Sequence, residues 1–195
     1  MFFKLFNSNK SIVLFLIPLF GLILWMPSLF HSHPVIQYSY PFYYLLTFIQ
    51  SFSGNIIAFV IICITGIILS NIVNQSDFFS KNHYLSAFIY VLLMSAVKEY
   101  NCQNPIIYAN LFFVLGIGRL FMIKPQITCK NHVFMSSCFM LIAALFCLPY
   151  LIFLPLIWVV LSIIKPFELN EWVMPIICIG MFALNLIALY SVLPN

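Results

Sequence analysis

Charge is what this chain lacks. Of its 195 residues only 6% are charged, eight Lys or Arg against four Asp or Glu, where a soluble globular domain carries roughly 25%. A body of this size has too little polar surface to coat itself in water, and a mean hydropathy of +1.11 makes lipid its solvent. That excludes a soluble enzyme, a disordered segment and a nucleic-acid module. The net charge of +4 is spread too thinly to form a phosphate-binding face.

Other absences narrow the reading further. The first apolar run follows Lys4 and Lys10, as in a signal peptide, but it is longer than a signal core of roughly 7–15 residues. It also ends in the bulky Leu24-Trp25-Met26-Pro27 with no small-x-small cleavage site, so it reads as a retained helix. No C-x-x-C occurs among the six cysteines. Cys63, Cys138, Cys147 and Cys178 fall inside apolar stretches, where cysteine behaves as a small apolar residue. Cys102 and Cys129 fall in loops on opposite sides and are not expected to meet.

What is present is apolar length. Seven stretches read as spans: Ser11 to Phe30, Asn55 to Val73, Tyr84 to Val97, Ile106 to Ile123, Val133 to Leu148, Leu151 to Ile164 and Val173 to Leu193. At about 20 residues per crossing they use ~140 residues and leave room only for loops and tails. The expected architecture is therefore an all-α polytopic transmembrane bundle forming a single domain over residues 1–195, with no soluble domain. With the N-terminus inside, Lys4, Lys10, Lys81, Arg119, Lys124, Lys130 and Lys165 lie in inner segments and only Lys98 lies outside. Positive residues collect on the cytoplasmic side, so this orientation is the expected one.

Two segments leave the number of spans open. Tyr84 to Val97 would be ~21 Å long, short of a ~30 Å hydrocarbon core, and reads either as a short crossing or as half of a re-entrant hairpin turning at Lys98-Glu99. From Val133 to Ile164 the chain is continuously apolar, and a single helix would be ~48 Å long. Two helices turning at Leu148-Pro149-Tyr150 fit better, because proline cannot donate to the helical ladder. A single helix would give six spans in place of seven and move the C-terminus inside.

Candidate sites are few. His31 and His33 lie in the first outer loop, while His83 and His132 lie at inner helix ends, so the bilayer separates the two sets and no four-histidine metal site is expected. The segment 31–54 carries no Asp, Glu, Lys or Arg but holds Tyr38, Tyr40, Tyr43 and Tyr44. It reads as a periplasmic loop whose Pro41 to Gly54 portion forms an interfacial helix, either a simple aromatic belt or a lid over a lipid-facing groove. Asp77, Glu168 and Glu171 are assigned to inner loops. Arg119, Lys98 and Glu99 are candidate contacts for a lipid headgroup, and Asn110 and Asn185 are candidate interhelical hydrogen-bonding groups. Gly116-Ile117-Gly118 permits a close helix approach but has the wrong spacing and context for a nucleotide fingerprint. No catalytic residue, metal ligand or cofactor is expected. The expected partners are the lipid bilayer and other membrane proteins, and not nucleic acid.

Leu69-Ser70-Asn71-Ile72-Val73, Phe78-Phe79 and the run from Lys81-Asn82-His83-Tyr84 to Ser95 resemble an uncharacterised family of multi-span inner-membrane proteins from Bacteroidota. Pro105-Ile106-Ile107-Tyr108-Ala109-Asn110-Leu111-Phe112-Phe113, Gly118-Arg119-Leu120-Phe121, Lys165-Pro166-Phe167 and Glu171-Trp172 continue the likeness. The resemblance covers most of the chain and implies a location in the bacterial cytoplasmic membrane. Members are longer, so it also implies a shortened version or a fragment. Some members carry a carotene-oxygenase label, which the histidine placement does not support. The helix pattern is also similar, more faintly, to the N-terminal half of polyprenyl-phosphate-dependent glycosyltransferases. Those enzymes carry an acidic base in the first outer loop, and residues 31–54 contain none. The expected function is a non-catalytic accessory or scaffold subunit in cell-envelope assembly. The alternative is a membrane enzyme acting on a lipid-linked substrate.

Overall fold

In a computed structural model the structure describes residues 11–30, 52–75, 84–97, 104–123, 129–164 and 166–192. These residues are mostly helical, and no strand occurs among them. The elements are α1 (Ser11–Phe30), α2 (Phe52–Gln75), α3 (Leu85–Ala96), α4 (Pro105–Phe121), α5 (Lys130–Phe146), a 3-10 helix (Leu148–Phe153), α6 (Leu156–Ile164), the one-turn α7 (Leu169–Trp172) and α8 (Met174–Val192). The interfacial helix expected before Gly54 falls mostly outside the described residues. Phe52, Ser53 and Gly54 belong to α2.

Local chemistry sets several of these boundaries. Asn104 caps α4 by accepting the Ile106 N–H at 3.0 Å, and Pro105 follows at the first helical position, where its missing N–H costs nothing. The long apolar stretch breaks where proline demands it. Cys147 turns extended, its N–H closing α5 on Ala143 O, and a 3-10 turn opens with Pro149 in its first turn. Leu151 to Ile164 is therefore not one continuous α-helix: its first three residues belong to the 3-10 helix, and α6 has only nine residues, ~14 Å. Two helices, Gly54–Gln75 and Leu169–Ala188, are long and apolar enough to cross a membrane.

Packing is organised around α4, which lies between α2 and α5. Its two glycines face opposite ways, as residues two apart on a helix must. A Cβ on Gly116 would come within 3.3 Å of Ser136 O on α5, and one on Gly118 within 2.7 Å of Ile72 Cδ1 on α2. Gly66 admits α3 to α2 in the same way, with Ala87 O 3.2 Å from where a Cβ would lie. One core cluster joins Ile17 and Trp25 of α1 to Ala58, Ile62, Ala87, Val91 and Ile107. A second gathers Leu120, Val133, Met140, Ile157, Leu161 and Cys178 from α4, α5, α6 and α8.

Both the interior and the outer faces of the described helices are rich in apolar side chains. Small and hydroxylic residues are inside: Thr65, Ser70, Ser95, Ser136 and Ser137 are buried. Thr65, Ser95 and Ser137 donate to the carbonyl four residues earlier, at 2.7, 2.7 and 2.8 Å, so these hydroxyls are satisfied within their own helices. Large apolar side chains such as Leu22, Val60, Leu93, Ile163 and Leu184 point outward.

The close approach at Gly66 makes Gly66→Leu expected to cost about 1–3 kcal/mol, through overpacking against the α3 backbone. Gly180 has open space where its Cβ would be, so Gly180→Ala gains up to ~1 kcal/mol of helix propensity. Thermal unfolding in detergent should show the midpoint falling for the first variant and rising for the second.

Candidate functional site

Among the polar contacts that join different elements of the described residues are two side-chain bonds. The first is at the start of α5. Cys129 is the N-cap there, and its own side chain makes no capping bond. The cap is supplied from 42 residues away: Glu171 Oε1 accepts the Cys129 N–H at 2.7 Å. The short α7 makes this reach by turning on Glu168, whose carbonyl accepts the N–H groups of Glu171 and Trp172. Trp158 Nε1–H donates to Trp172 O at 3.0 Å, and the Phe167 and Trp172 rings lie 4.9 Å apart, so the connection from α6 to α8 is held down. Glu171 is thereby 1% exposed. A carboxylate at a helix N-terminus meets an unpaired N–H and the positive end of the helix dipole, which offsets the cost of its burial.

The second lies between α2, α3 and α4. Asn110 Nδ2–H donates to Tyr90 Oη at 2.8 Å, joining α4 to α3, and the Thr65 hydroxyl of α2 and Tyr150 are further polar neighbours of that phenol. Next to it an aromatic stack ties α4 to α5 and the 3-10 helix. Tyr108 and Phe112 each stack on Phe146 at 5.8 Å, while Phe113 meets Tyr150 at 5.3 Å and Phe153 at 4.7 Å.

The residues singled out from sequence are distributed as follows. Asn110 makes the interhelical bond just described. Asn185 is exposed and donates to Met181 O of its own helix at 2.8 Å. Arg119 is exposed in the last turn of α4, where a cation complements the helix dipole. Lys98 and Glu99 lie outside the described residues, as do His31, His33, His83 and Cys102. His132 is half-buried in the first turn of α5. The structure does not bring Arg119, Asn110 and Asn185 into one site.

Sequence reasoning missed two features. Glu171 was assigned to a loop, whereas it is buried at a helix end; the available signal was an acid next to tryptophan in a chain with four acids. Cys138 of α5 and Cys178 of α8 were read as separate apolar residues, whereas their sulfurs are 3.1 Å apart. Among the described residues, no group of three or more His, Cys, Asp or Glu is placed to hold a metal ion.

The fold thus defines a class: an all-helical chain with two helices long and apolar enough to cross a membrane. Set against protein-family models, curated proteins and solved structures, the chain matches none.

Proposed function

We propose that this chain is a multi-pass integral protein of a bacterial cytoplasmic membrane, N-terminus inside, acting as a non-catalytic accessory or scaffold subunit in cell-envelope assembly. The membrane assignment is supported by the many large apolar side chains left exposed on these helices. In the helices Gly54–Gln75 and Leu169–Ala188 only 39% and 17% of the apolar window is buried within the chain, too little for the core helices of a soluble protein. The buried hydroxyls of Thr65, Ser95 and Ser137 are satisfied within their own helices, as hydrocarbon favours.

The observation that carries the subunit role is the C-terminal half of α8. From Met181 to Ala188 only Phe182 is partly covered; Leu184 is 69% exposed and Ile187 66%. Midway along this otherwise apolar surface stands Asn185, whose amide oxygen is left for a neighbour. An asparagine at membrane depth contributes up to about 2 kcal/mol to association when a second helix offers a partner. A photo-crosslinking residue at Leu184 should trap a discrete protein partner in native membranes, and Asn185→Leu should weaken that product several-fold. Lipid adducts alone at Leu184 would contradict the subunit role. The reading as an enzyme on a lipid-linked substrate draws on one observation, the exposed Arg119 guanidinium. It requires co-purifying phosphorylated lipid to be lost in Arg119→Ala.

A further inference from the structure

Cys138 and Cys178 are both free thiols, and their sulfurs sit 3.1 Å apart across the α5–α8 interface. Closing that gap to the ~2.05 Å of a disulfide takes a movement of about 1 Å, within the reach of side-chain rotation. Cys63, Cys129 and Cys147 are also free and buried.

The two members differ in access. Cys178 is fully buried, whereas Cys138 is partly open to the outside of the bundle. Cys178 belongs to, and Cys138 packs against, the apolar cluster that also holds Phe134, Met140, Leu141, Met174 and Phe182. Thiols at adjacent positions, one reachable and one behind it, form the arrangement in which a first thiol attacks and a second resolves.

We propose that Cys138 and Cys178 are a dithiol–disulfide couple that delivers two electrons and two protons to a lipid-soluble quinone. Cys138 Sγ adds to the quinone ring, forming a C–S bond. Cys178 Sγ then attacks Cys138 Sγ; the S–S bond forms as the C–S bond breaks, and the electron pair leaves with the ring. Both S–H bonds are lost, their protons end on the two quinone oxygens, and the products are one disulfide and one quinol. The choice of a lipid-soluble acceptor rests on the membrane reading above, but the proximity of the thiols does not. The disulfide would tie α8 to α5 and thereby fix the half-covered helix offered to a partner.

The test uses the full chain, reduced and freed of reductant, in detergent micelles. One arm receives 4,4′-dithiodipyridine, which drives disulfide formation by exchange; the other receives a short-chain ubiquinone. Peptide mass mapping should show the Cys138 and Cys178 peptides joined, with two hydrogens lost, in both arms, and one quinol formed per chain in the second. Cys138→Ser and Cys178→Ser should each abolish the link and the quinol, while Cys63→Ser should change neither. The proposal is overturned by wild-type chain that stays unlinked in both arms, by links that involve other cysteines, or by linkage in the first arm without quinol in the second. Failure of the membrane reading would be visible separately, as wild-type chain recovered in the aqueous fraction of lysed cells.

Discussion

Trp25→Ala is expected to destabilise the folded chain by about 3–5 kcal/mol, the range for deleting a buried aromatic side chain. Trp25 is fully buried at the meeting of α1, α2 and α3, with its ring 5.5 Å from that of Phe59. It shares its cluster with Ile17, Ala58, Ile62, Ala87, Val91 and Ile107, so deleting the indole leaves a cavity between three helices. Lost van der Waals contact contributes to the cost, because a vacated pocket has no atoms on one side. Trp25→Phe should lose less than half as much. The thermal midpoint in detergent checks both, and an unchanged midpoint for the alanine variant would place α1 outside the core.

The second large effect is expected at Glu171. Glu171→Ala leaves the buried Cys129 N–H without its 2.7 Å acceptor, a loss of about 1–3 kcal/mol. It also removes a negative charge from the α5 N-terminus, worth roughly 0.3–1 kcal/mol and up to ~2 in partly buried sites. Glu171→Gln keeps an acceptor oxygen of the same reach and should recover most of the first contribution. Hydrogen exchange locates the effect: amides in the first turn of α5 should exchange faster in the alanine variant, while those of α3 are unchanged. Uniform acceleration across all helices would mean that the carboxylate does not act as a cap.

What the sequence disclosed and what it concealed differ in kind. Features fixed by local chemistry were legible. Pro149 and Pro155 divide the long apolar stretch because each lacks an N–H, and Gly116 and Gly118 mark the two sides on which α4 is approached. Asn110 was legible as a polar group on an apolar helix, and its partner Tyr90 was not. The rest depends on how helices are rotated against each other. In α2, α4, α5 and α8 apolar residues occupy every face, so the sequence offers no stripe that says which side is inside. For that reason Cys138 and Cys178, 40 residues apart, and Glu171 and Cys129, 42 apart, were read as unrelated positions. Trp25, legible only as a bulky residue that excludes a cleavage site, proves to be part of the core. The charges that set the expected orientation lie mainly outside the described residues and leave that expectation to topology experiments.

The central claim is that the outward faces of these helices meet lipid. Footprinting of the wild-type chain in native membranes tests it directly, with a photoactivated carbene dissolved in the bilayer set against hydroxyl radicals generated in water. Leu22, Val60, Leu93 and Leu184, all exposed on the chain, should be labelled by the carbene and spared by the radicals. Labelling of those four residues from the aqueous phase would contradict the account.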